Sequence, residues 1–424
     1  MIIFVSVCIP GRVFEMLFDK KTRKELTSDK GLFSSDFSCY LFPFIVFGGY
    51  LLYCIFEKLI PSASGYYLIH YLYTFDRGYI SRGFVGEIIS KFTDTVTDDM
   101  TRNIITVFSV LLMLGMTLCI GKALSKVRLD KERLTLVLFV AVIVFMIPMP
   151  FKYYYTDIKL DKLVWALTLF AVYLADNKIG KWLVPVICAV TTVVNPIFVF
   201  TSMVLIAIIL LQEFYSGGMS KKDGILCAVT YLAIIILALL APISEKWVDF
   251  ANAEEMVDFF FSRYAGVLEA GDRERFVNMW LIDFFAPVDQ AINKSFHIYF
   301  EGWSMGLKSG FNLLLVGIPV YTVLGAFWRK VIKAEEDKFQ KFIYFLCSIT
   351  IVVSIPAVIL SWEFSKYLYN NILVHAGLII YFIVKDQKAV VETCKEVKEF
   401  GKKHLIASIA GILYFITFFA ALFN

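Results

Sequence analysis

Charge is scarce in this sequence, and histidine is nearly absent. Only 18% of the 424 residues are Asp, Glu, Lys or Arg, four are His, and 59% are hydrophobic. With a mean hydropathy of +0.71, this composition lies outside the range of water-soluble domains and excludes a soluble enzyme or binding module. The sequence also lacks a glycine-rich phosphate loop, a Cys-X-X-Cys pair and a histidine cluster, and its net charge of +4 gives no indication of a nucleic-acid partner.

Long apolar runs follow one another along most of the chain. Because a helix needs roughly 20 apolar residues to cross a bilayer, we predict an all-α polytopic transmembrane bundle with ten runs and ten or eleven passes. One run is too long for a simple helix, and its Asn195-Pro196 pair predicts two short segments bent at the proline. The predicted spans are Leu41–Glu57, Ile104–Gly121, Leu134–Pro148, Leu163–Ala175, Trp182–Leu211, Ile225–Ile243, Phe311–Trp328, Phe342–Leu360, Ile372–Val384 and Leu405–Phe423.

Lysine and arginine are concentrated in alternate connections, which predicts the topology because positive residues near span ends stay in the cytoplasm. Most of the 41 fall on one side if residues 1–40 form a cytoplasmic or interfacial N-terminal segment and residues 182–211 turn back as a hairpin. We therefore predict a multi-pass protein of the cell membrane with a cytoplasmic N-terminus and a bundle over residues 41–424. Its long outer loops are residues 58–102 and 244–310.

The predicted spans contain almost no ionisable residues. Glu57 and Glu213 lie at span ends, and His375 lies near one. Ion-coupled transporters place charged groups at the membrane midplane, so this near absence weakens a transporter interpretation. The break at Asn195-Pro196 keeps a transporter or flippase of a lipid-linked or amphipathic substrate as the alternative, because an interrupted helix exposes backbone carbonyls.

The first outer loop combines aromatic rings with charge. Residues 66–87 carry glycines at 78, 83 and 86 together with Asp76, Arg77, Arg82 and Glu87. Such a segment lies at the membrane interface with its charged groups facing a cavity. An interfacial helix whose charges merely pair with one another explains the same pattern equally well.

A second acidic group precedes a later span. Asp157 and Asp161 flank Lys159 and are four residues apart, which puts them on one helical face if the helix begins early. They are candidate functional residues, although an Asp at a helix start is also favoured by capping and by the helix dipole.

The second outer loop contains two amphipathic stretches, Trp247–Tyr264 and Arg275–Phe285, which predict helices lying along the membrane surface. Its Arg263, Arg273 and Arg275 are candidate phosphate ligands, since a guanidinium binds phosphate through two hydrogen bonds. Their alternation with Asp272 and Glu274 favours instead a self-neutralised, solvated turn. The last outer loop offers Glu363 and Lys366 about one helical turn apart, where a simple ion pair is the competing explanation.

The order of these features resembles that of the GT-C-type polytopic glycosyltransferases and the related bacterial polysaccharide polymerases and ligases. The resemblance rests on Asp76 in a long loop after the first span, on the acidic start Asp157–Asp161, on the Asn195-Pro196 break that follows, and on a large second loop with surface helices. It covers roughly the first half of the chain. A doubled-carboxylate signature that many such enzymes carry in the first loop is missing in clean form, which leaves the catalytic base open.

The resemblance implies a membrane glycosyltransferase or polysaccharide polymerase that uses a sugar on a polyprenyl phosphate at the outer face. Its partners are then membrane lipid and a polyprenyl-linked glycan. A carboxylate accepts the proton of the attacking hydroxyl, with Asp76 as first choice and Asp157 and Glu363 as second choices. Cations stabilise the leaving phosphate. The implied cations are basic substrate-binding side chains or a divalent metal such as Mg²⁺ or Mn²⁺. The implied substrate-binding residues are Arg77, Arg82, Lys159, Arg263 and Lys366.

Overall fold

The structure, a computed structural model, describes residues 33–64, 67–146, 155, 157–177, 180–244, 248–266, 271–285, 317–360 and 364–423. Within these ranges the chain is helical, and its one extended pairing is an isolated bridge between Val96 and Tyr264. The N-terminal segment up to residue 32 and loop residues 286–316 lie outside the described residues.

Six helices form the first part of the chain. α4 is the longest of them. At its start the Met100 amide donates to the Thr97 hydroxyl, and two acidic residues in its first turn stabilise the helix by interacting with its dipole. α6 packs closely on α4 because a side chain at Gly115 would press on Leu169. The helices are α1 (Asp36–Phe56), α2 (Ile69–Leu72), α3 (Phe84–Ser90), α4 (Asp98–Val127), α5 (Lys131–Val140, continued by a π-helical turn at Ala141–Phe145) and α6 (Asp161–Ala175).

The predicted break at Asn195-Pro196 is confirmed. α7 (Val184–Val194) ends there, and a 3₁₀ turn, Pro196–Phe200, leads into α8 (Met203–Tyr215). The Asn195 side chain accepts from the Ile197 amide at 3.2 Å, which stabilises the bend. At the far ends of the two arms, the Lys181 ammonium donates to the Gly218 carbonyl at 2.7 Å. The run therefore turns back as a hairpin.

The remaining helices include two surface helices in the second loop, close to the predicted amphipathic stretches, and one lysine-rich helix, α16. They are α9 (Lys221–Ser244), α10 (Ala253–Phe261), α11 (Asp272–Trp280, continued by a π-helical turn at Leu281–Phe285), α12 (Ile318–Ala334), α13 (Lys338–Ser348), α14 (Thr350–Leu360), α15 (Phe364–Val384), α16 (Lys388–Lys403) and α17 (Leu405–Phe423).

Several helices are long and apolar enough to cross a bilayer, which confirms an all-α polytopic membrane bundle. Shorter apolar helices occur at Gly180–Val194, Met203–Tyr215 and Leu405–Tyr414. The count of ten or eleven passes remains a prediction. The five stretches within the described residues that meet the length and hydropathy requirements are Asp36–Phe56, Asp98–Val127, Lys221–Leu240, Lys338–Ile355 and Tyr367–Val384.

The two predicted outer loops pack together into one layer, called here the loop layer (residues 67–97 and 248–285). The Val96 amide donates to the Arg263 carbonyl at 2.7 Å, and the Asp249 amide donates to the Arg77 carbonyl at 2.8 Å. The Tyr264 hydroxyl reaches Asp98, in the first turn of α4, at 2.7 Å. The start of α4 therefore lies in the loop layer.

The other end of α4 lies in a second polar layer, called here the lysine layer, formed by segments predicted to be cytoplasmic. Lys122 and Lys126 pair with Asp176, and Arg128 pairs with Asp36 at 2.9 Å. With a rise of about 1.5 Å per residue, Lys122 lies about 36 Å from the start of α4, close to the thickness of a bilayer with its headgroups. The two layers therefore belong to opposite membrane faces. Further ion pairs in the lysine layer are Arg133–Asp386, Lys395–Glu132, Lys330–Glu396 and Lys385–Glu213.

Candidate functional site

The segment of residues 67–77 forms the centre of the loop layer. Its Tyr71 and Leu72 are completely buried, and the ring of Tyr73 packs on Phe260 at 5.1 Å between centroids. α3 crosses this segment at Gly86, where a Cβ atom would lie 2.2 Å from the Tyr73 carbonyl oxygen. Only glycine permits this contact, so the position of the segment depends on it.

Arg263 extends from the second loop onto this segment. Its guanidinium donates to the Leu72 carbonyl at 2.6 Å, and its Nη2 has no hydrogen-bond partner among the described residues. Burial lowers the pKa of Arg263, and the negative charges of Asp76, Asp94 and Glu87 counteract that shift. Because Nη2 is buried, this half-buried cation attracts a nearby anion through its charge.

Carboxylates surround Arg263 on the first-loop side. Glu87 accepts from the Phe75 amide at 2.8 Å and pairs with Lys91 at 2.7 Å. The hydrogen bond from Lys91, with that from the amide, lowers the pKa of Glu87. Asp76 is exposed, and its charge acts on both Lys91 and Arg263. We call Asp76, Glu87, Lys91 and Arg263 the loop cluster.

Arg77, a predicted substrate-binding residue, instead joins the two loops. Its guanidinium donates to Glu255 at 2.6 Å and lies 5.0 and 4.9 Å from the ring centroids of Phe250 and Phe259. A hydrogen bond from the Ala251 amide, followed by that from Arg77, lowers the pKa of Glu255. Arg77 therefore has a structural role in this structure.

Arg82 lies in the turn before α3 with a φ of 67°. The left-handed region is unfavourable for residues other than glycine, and such strain is often found at functional sites. The structure thus places Arg82 in the turn between Asp76 and α3, the helix that carries Glu87.

The predicted acidic group, residues 157–161, also contacts the segment of residues 67–77. The Lys159 ammonium lies 4.9 Å from the centroid of the Tyr67 ring, and the Tyr71 hydroxyl donates to the Ile158 carbonyl at 2.9 Å. Asp157 is buried and accepts from the Lys159 amide at 3.1 Å. Because α6 begins at Asp161, Asp157 precedes the helix, and the two carboxylates do not share a helical face as predicted.

Sequence reasoning missed Lys162, which is completely buried. Its ammonium donates to the Ser109 hydroxyl at 3.2 Å and to the Tyr155 carbonyl at 3.1 Å, and the charge of Asp157 attracts it. Helical rise places Ser109 about 16 Å from the start of α4, near the middle of the membrane. Asp161 is also buried. The expectation of a bundle nearly free of charge is therefore wrong at this depth.

A buried polar network was missed as well. His375 lies within α15 rather than near a span end, and it accepts from the Trp328 indole at 2.9 Å through Nδ1. Its Nε2 lies 3.0 Å from the Thr350 hydroxyl, which accepts from the Asn371 amide at 3.2 Å. The Tyr321 hydroxyl completes the network by donating to Asn371 at 2.9 Å. Each polar group here has a partner, which is typical of a structural role.

Some candidates lie beyond the description. Glu363 is outside the described residues, and Lys366 is described only as backbone of α15. Among the described residues, no group of three or more His, Cys, Asp or Glu side chains is arranged to hold a metal ion.

Comparison with known proteins agrees with the membrane assignment. A family model described as "Uncharacterised membrane protein Rv1490" matches residues 42–249, which contain the first loop and the acidic group but not Arg263. No curated protein and no solved structure matches the chain. The apolar helices, the two polar layers and this match together show that the chain is a multi-pass membrane protein.

Proposed function

We propose that the chain is a membrane glycosyltransferase or polysaccharide polymerase that uses a sugar linked to a polyprenyl phosphate. The reaction takes place at the loop layer, on the outer membrane face. The observation that carries the proposal is the loop cluster, in which the exposed carboxylate of Asp76 lies within electrostatic range of Arg263 and Lys91. Transfer needs both a base and cations, and these groups provide them.

The reaction assigns each group a definite task. The acceptor hydroxyl attacks the anomeric carbon of the donor sugar, a new C–O bond forms, and the bond from that carbon to the phosphate oxygen breaks. Asp76 takes the proton of the hydroxyl. The polyprenyl phosphate leaves with the bonding electron pair, and the positive charge of Arg263 stabilises it.

Asp157 and Lys159 have supporting roles in this proposal. They lie against residues 67–71, whose other end carries the loop cluster. Lys159 is a second cation for the phosphate, and buried Asp157 keeps Lys159 and Lys162 in place by its charge. A divalent cation such as Mg²⁺ or Mn²⁺ would supplement the arginine in neutralising the phosphate. Arg77 has no role in the proposed reaction, because its guanidinium pairs with Glu255 and packs on two aromatic rings.

The experiment compares Asp76→Asn with Asp99→Asn in cells whose own copy of the gene is deleted. Asp99 is an exposed carboxylate of the same loop region that pairs with Arg102 and does not belong to the loop cluster. Loss of the proton acceptor should reduce glycan transfer by about 10²–10⁴-fold. Surface polysaccharide and accumulated lipid-linked saccharide are measured by mass spectrometry, together with the amount of protein in the membrane.

We expect Asp76→Asn to lose surface polysaccharide and to accumulate lipid-linked saccharide, while Asp99→Asn restores both to normal. Normal polysaccharide in the Asp76→Asn cells, at equal protein level, would contradict the proposal.

Transport of a lipid-linked or amphipathic substrate is the second candidate, and Lys162 is the observation that favours it. Ionisable side chains buried at mid-depth in a membrane commonly mark a substrate or ion path. The deletion cells distinguish the two functions. If the chain is a transferase, the accumulated saccharide lies on the outer face and is oxidised by membrane-impermeant periodate. A transporter leaves it protected on the inner face.

A further inference from the structure

A narrow cavity runs through the half of the bundle that faces the lysine layer. α4, α6, α8 and α15 line it, and its volume is about 100 Å³. On α6 the lining extends from Trp165, near the buried Lys162, to Asp176 in the lysine layer. With a helical rise of about 1.5 Å per residue, the stretch from Trp165 to Asp176 is about 17 Å long. The cavity is therefore long and thin, and it follows the bundle axis.

Apolar side chains line most of the length of the cavity. Leu169, Leu205, Ile209 and Leu373 belong to this lining, and Gly377 leaves room where a larger residue would press on Leu205. An apolar cavity of about 100 Å³ has room for a few methylene groups of a hydrocarbon chain. A soluble polar ligand would lose its hydration there without hydrogen bonds to replace it.

The mouth of the cavity is positively charged. Lys122, Lys126 and Lys385 lie there with Asp176, and the two lysines of α4 share that one carboxylate. Lys385 pairs with Glu213, whose side chain is almost fully buried. One cationic charge in the Lys122–Lys126–Asp176 group is therefore left without a neutralising carboxylate, and all three lysines remain partly exposed.

We infer that this cavity binds an anionic lipid, with a phosphate head between Lys122, Lys126 and Lys385 and the adjoining part of one hydrocarbon chain inside the cavity. The ligand class follows from two matched features, an apolar cavity and a cationic mouth at headgroup depth. The site lies at the opposite membrane face from the loop cluster. It therefore goes beyond the proposed function, and the two can fail separately.

Two sources of this chemistry exist in a membrane: a phospholipid such as phosphatidylglycerol, and a polyprenyl phosphate. Purified protein in neutral detergent is titrated with each lipid, with phosphatidylcholine and with inorganic phosphate, and the shift of the melting temperature gives the apparent affinity. We expect both anionic lipids, or one of them, to stabilise the protein. The stronger of the two identifies the source.

The head-group variant is Lys122→Gln/Lys126→Gln/Asp176→Asn, which removes the whole ion-pair group and leaves no buried carboxylate unpaired. Lys330→Gln is the matched control because it changes the net charge of the same layer by the same amount at an exposed pair with Glu396. We expect the head-group variant to weaken lipid binding by about tenfold or more, and the control to bind like the parent protein.

The chain variant is Val172→Phe, which narrows the cavity without touching a charge. Its control is Val186→Phe on exposed α7 surface. We expect lipid binding to be lost in the first and kept in the second. Equal binding by the head-group variant and the parent, equal stabilisation by phosphatidylcholine, or equal stabilisation by inorganic phosphate alone would overturn the inference.

Discussion

The loop layer and the lysine layer treat charge in different ways. In the lysine layer, basic groups pair directly with carboxylates from neighbouring segments, as Lys385 does with Glu213 and Arg128 with Asp36. In the loop layer, Arg263 has one donor without a hydrogen-bond partner among the described residues, and Asp76 is exposed. Ion pairs between helices dominate the lysine layer, although the Lys122–Lys126–Asp176 group keeps one cationic charge without a neutralising carboxylate, whereas the loop layer keeps a carboxylate exposed at Asp76.

The two layers also differ in how they continue into the membrane. Beneath the loop layer, polar groups extend inward through Tyr71 and Asp157 to Lys162. Above the lysine layer, the interior is the apolar cavity that ends near Trp165. Along this path, polar groups extend from the loop layer to mid-depth, where the apolar cavity begins.

The largest effect is expected from Lys162→Met. This change removes a fully buried cation and leaves the buried carboxylate of Asp157 without its attraction. The change also removes the hydrogen bonds to the Ser109 hydroxyl and the Tyr155 carbonyl, and each buried polar partner left unsatisfied costs about 1–3 kcal/mol. We expect a marked fall in the melting temperature of the purified protein in detergent, measured by intrinsic fluorescence.

The double variant Lys162→Met/Asp157→Asn is the control for this result. Replacing both side chains removes both ends of the electrostatic attraction, so part of the lost stability should return. If the double variant is no more stable than Lys162→Met, the two side chains do not interact. The polar groups of the loop layer would then not continue from Asp157 to Lys162.

The sequence predicted the fold well and the depth of the polar groups poorly. Apolar runs predicted most helices, and Asn195-Pro196 predicted the hairpin, because both signals are local. The sequence places Lys162 at the outer start of a span, immediately before the apolar run that begins at Leu163. One of its partners, Ser109, comes from a distant part of the chain. How deep a polar side chain such as Lys162 lies in the bundle depends on tertiary packing, which a single sequence does not reveal.

The candidate site shows the same division. Residue type alone predicted that the first loop carries charged groups around Asp76. It also made Arg263 a candidate phosphate ligand, and that role stays a prediction. The pairing of Arg77 with Glu255 was not predicted, because it joins two loops far apart in sequence. A possible signal was the composition of α10, whose aromatic residues and two adjacent glutamates suit an arginine partner.

An intermediate effect is expected from Gly86→Ala, which tests whether the loop layer depends on close packing. The added methyl group would lie 2.2 Å from the Tyr73 carbonyl oxygen, a backbone atom that cannot rotate away. Overpacking of this kind costs about 1–3 kcal/mol. We expect lower thermal stability and reduced surface polysaccharide, because the segment carrying the loop cluster must shift.

Gly49→Ala on α1 is the matched control, since nothing lies within 4 Å of its added methyl group. It should leave both stability and polysaccharide unchanged. A Gly86→Ala protein as stable and active as the Gly49→Ala protein would show that the loop layer tolerates displacement of residues 71–73.

The smallest effect is expected from Glu87→Gln, and it depends on pH. The hydrogen bonds from Lys91 and the Phe75 amide lower the pKa of Glu87 in the folded protein. A carboxylate with a lowered pKa stabilises the fold above its ordinary pKa, and that contribution is lost as the pH falls through the folded value. Glu87→Gln should therefore melt slightly below the parent protein at pH 7, and the difference should disappear in acid. Glu392→Gln is the control in the lysine layer, because it removes an exposed carboxylate that also pairs with a lysine, Lys395, and an exposed pair of this kind contributes little. A difference between the parent and Glu87→Gln that persists unchanged at acidic pH would mean that Glu87 acts through packing rather than through its charge.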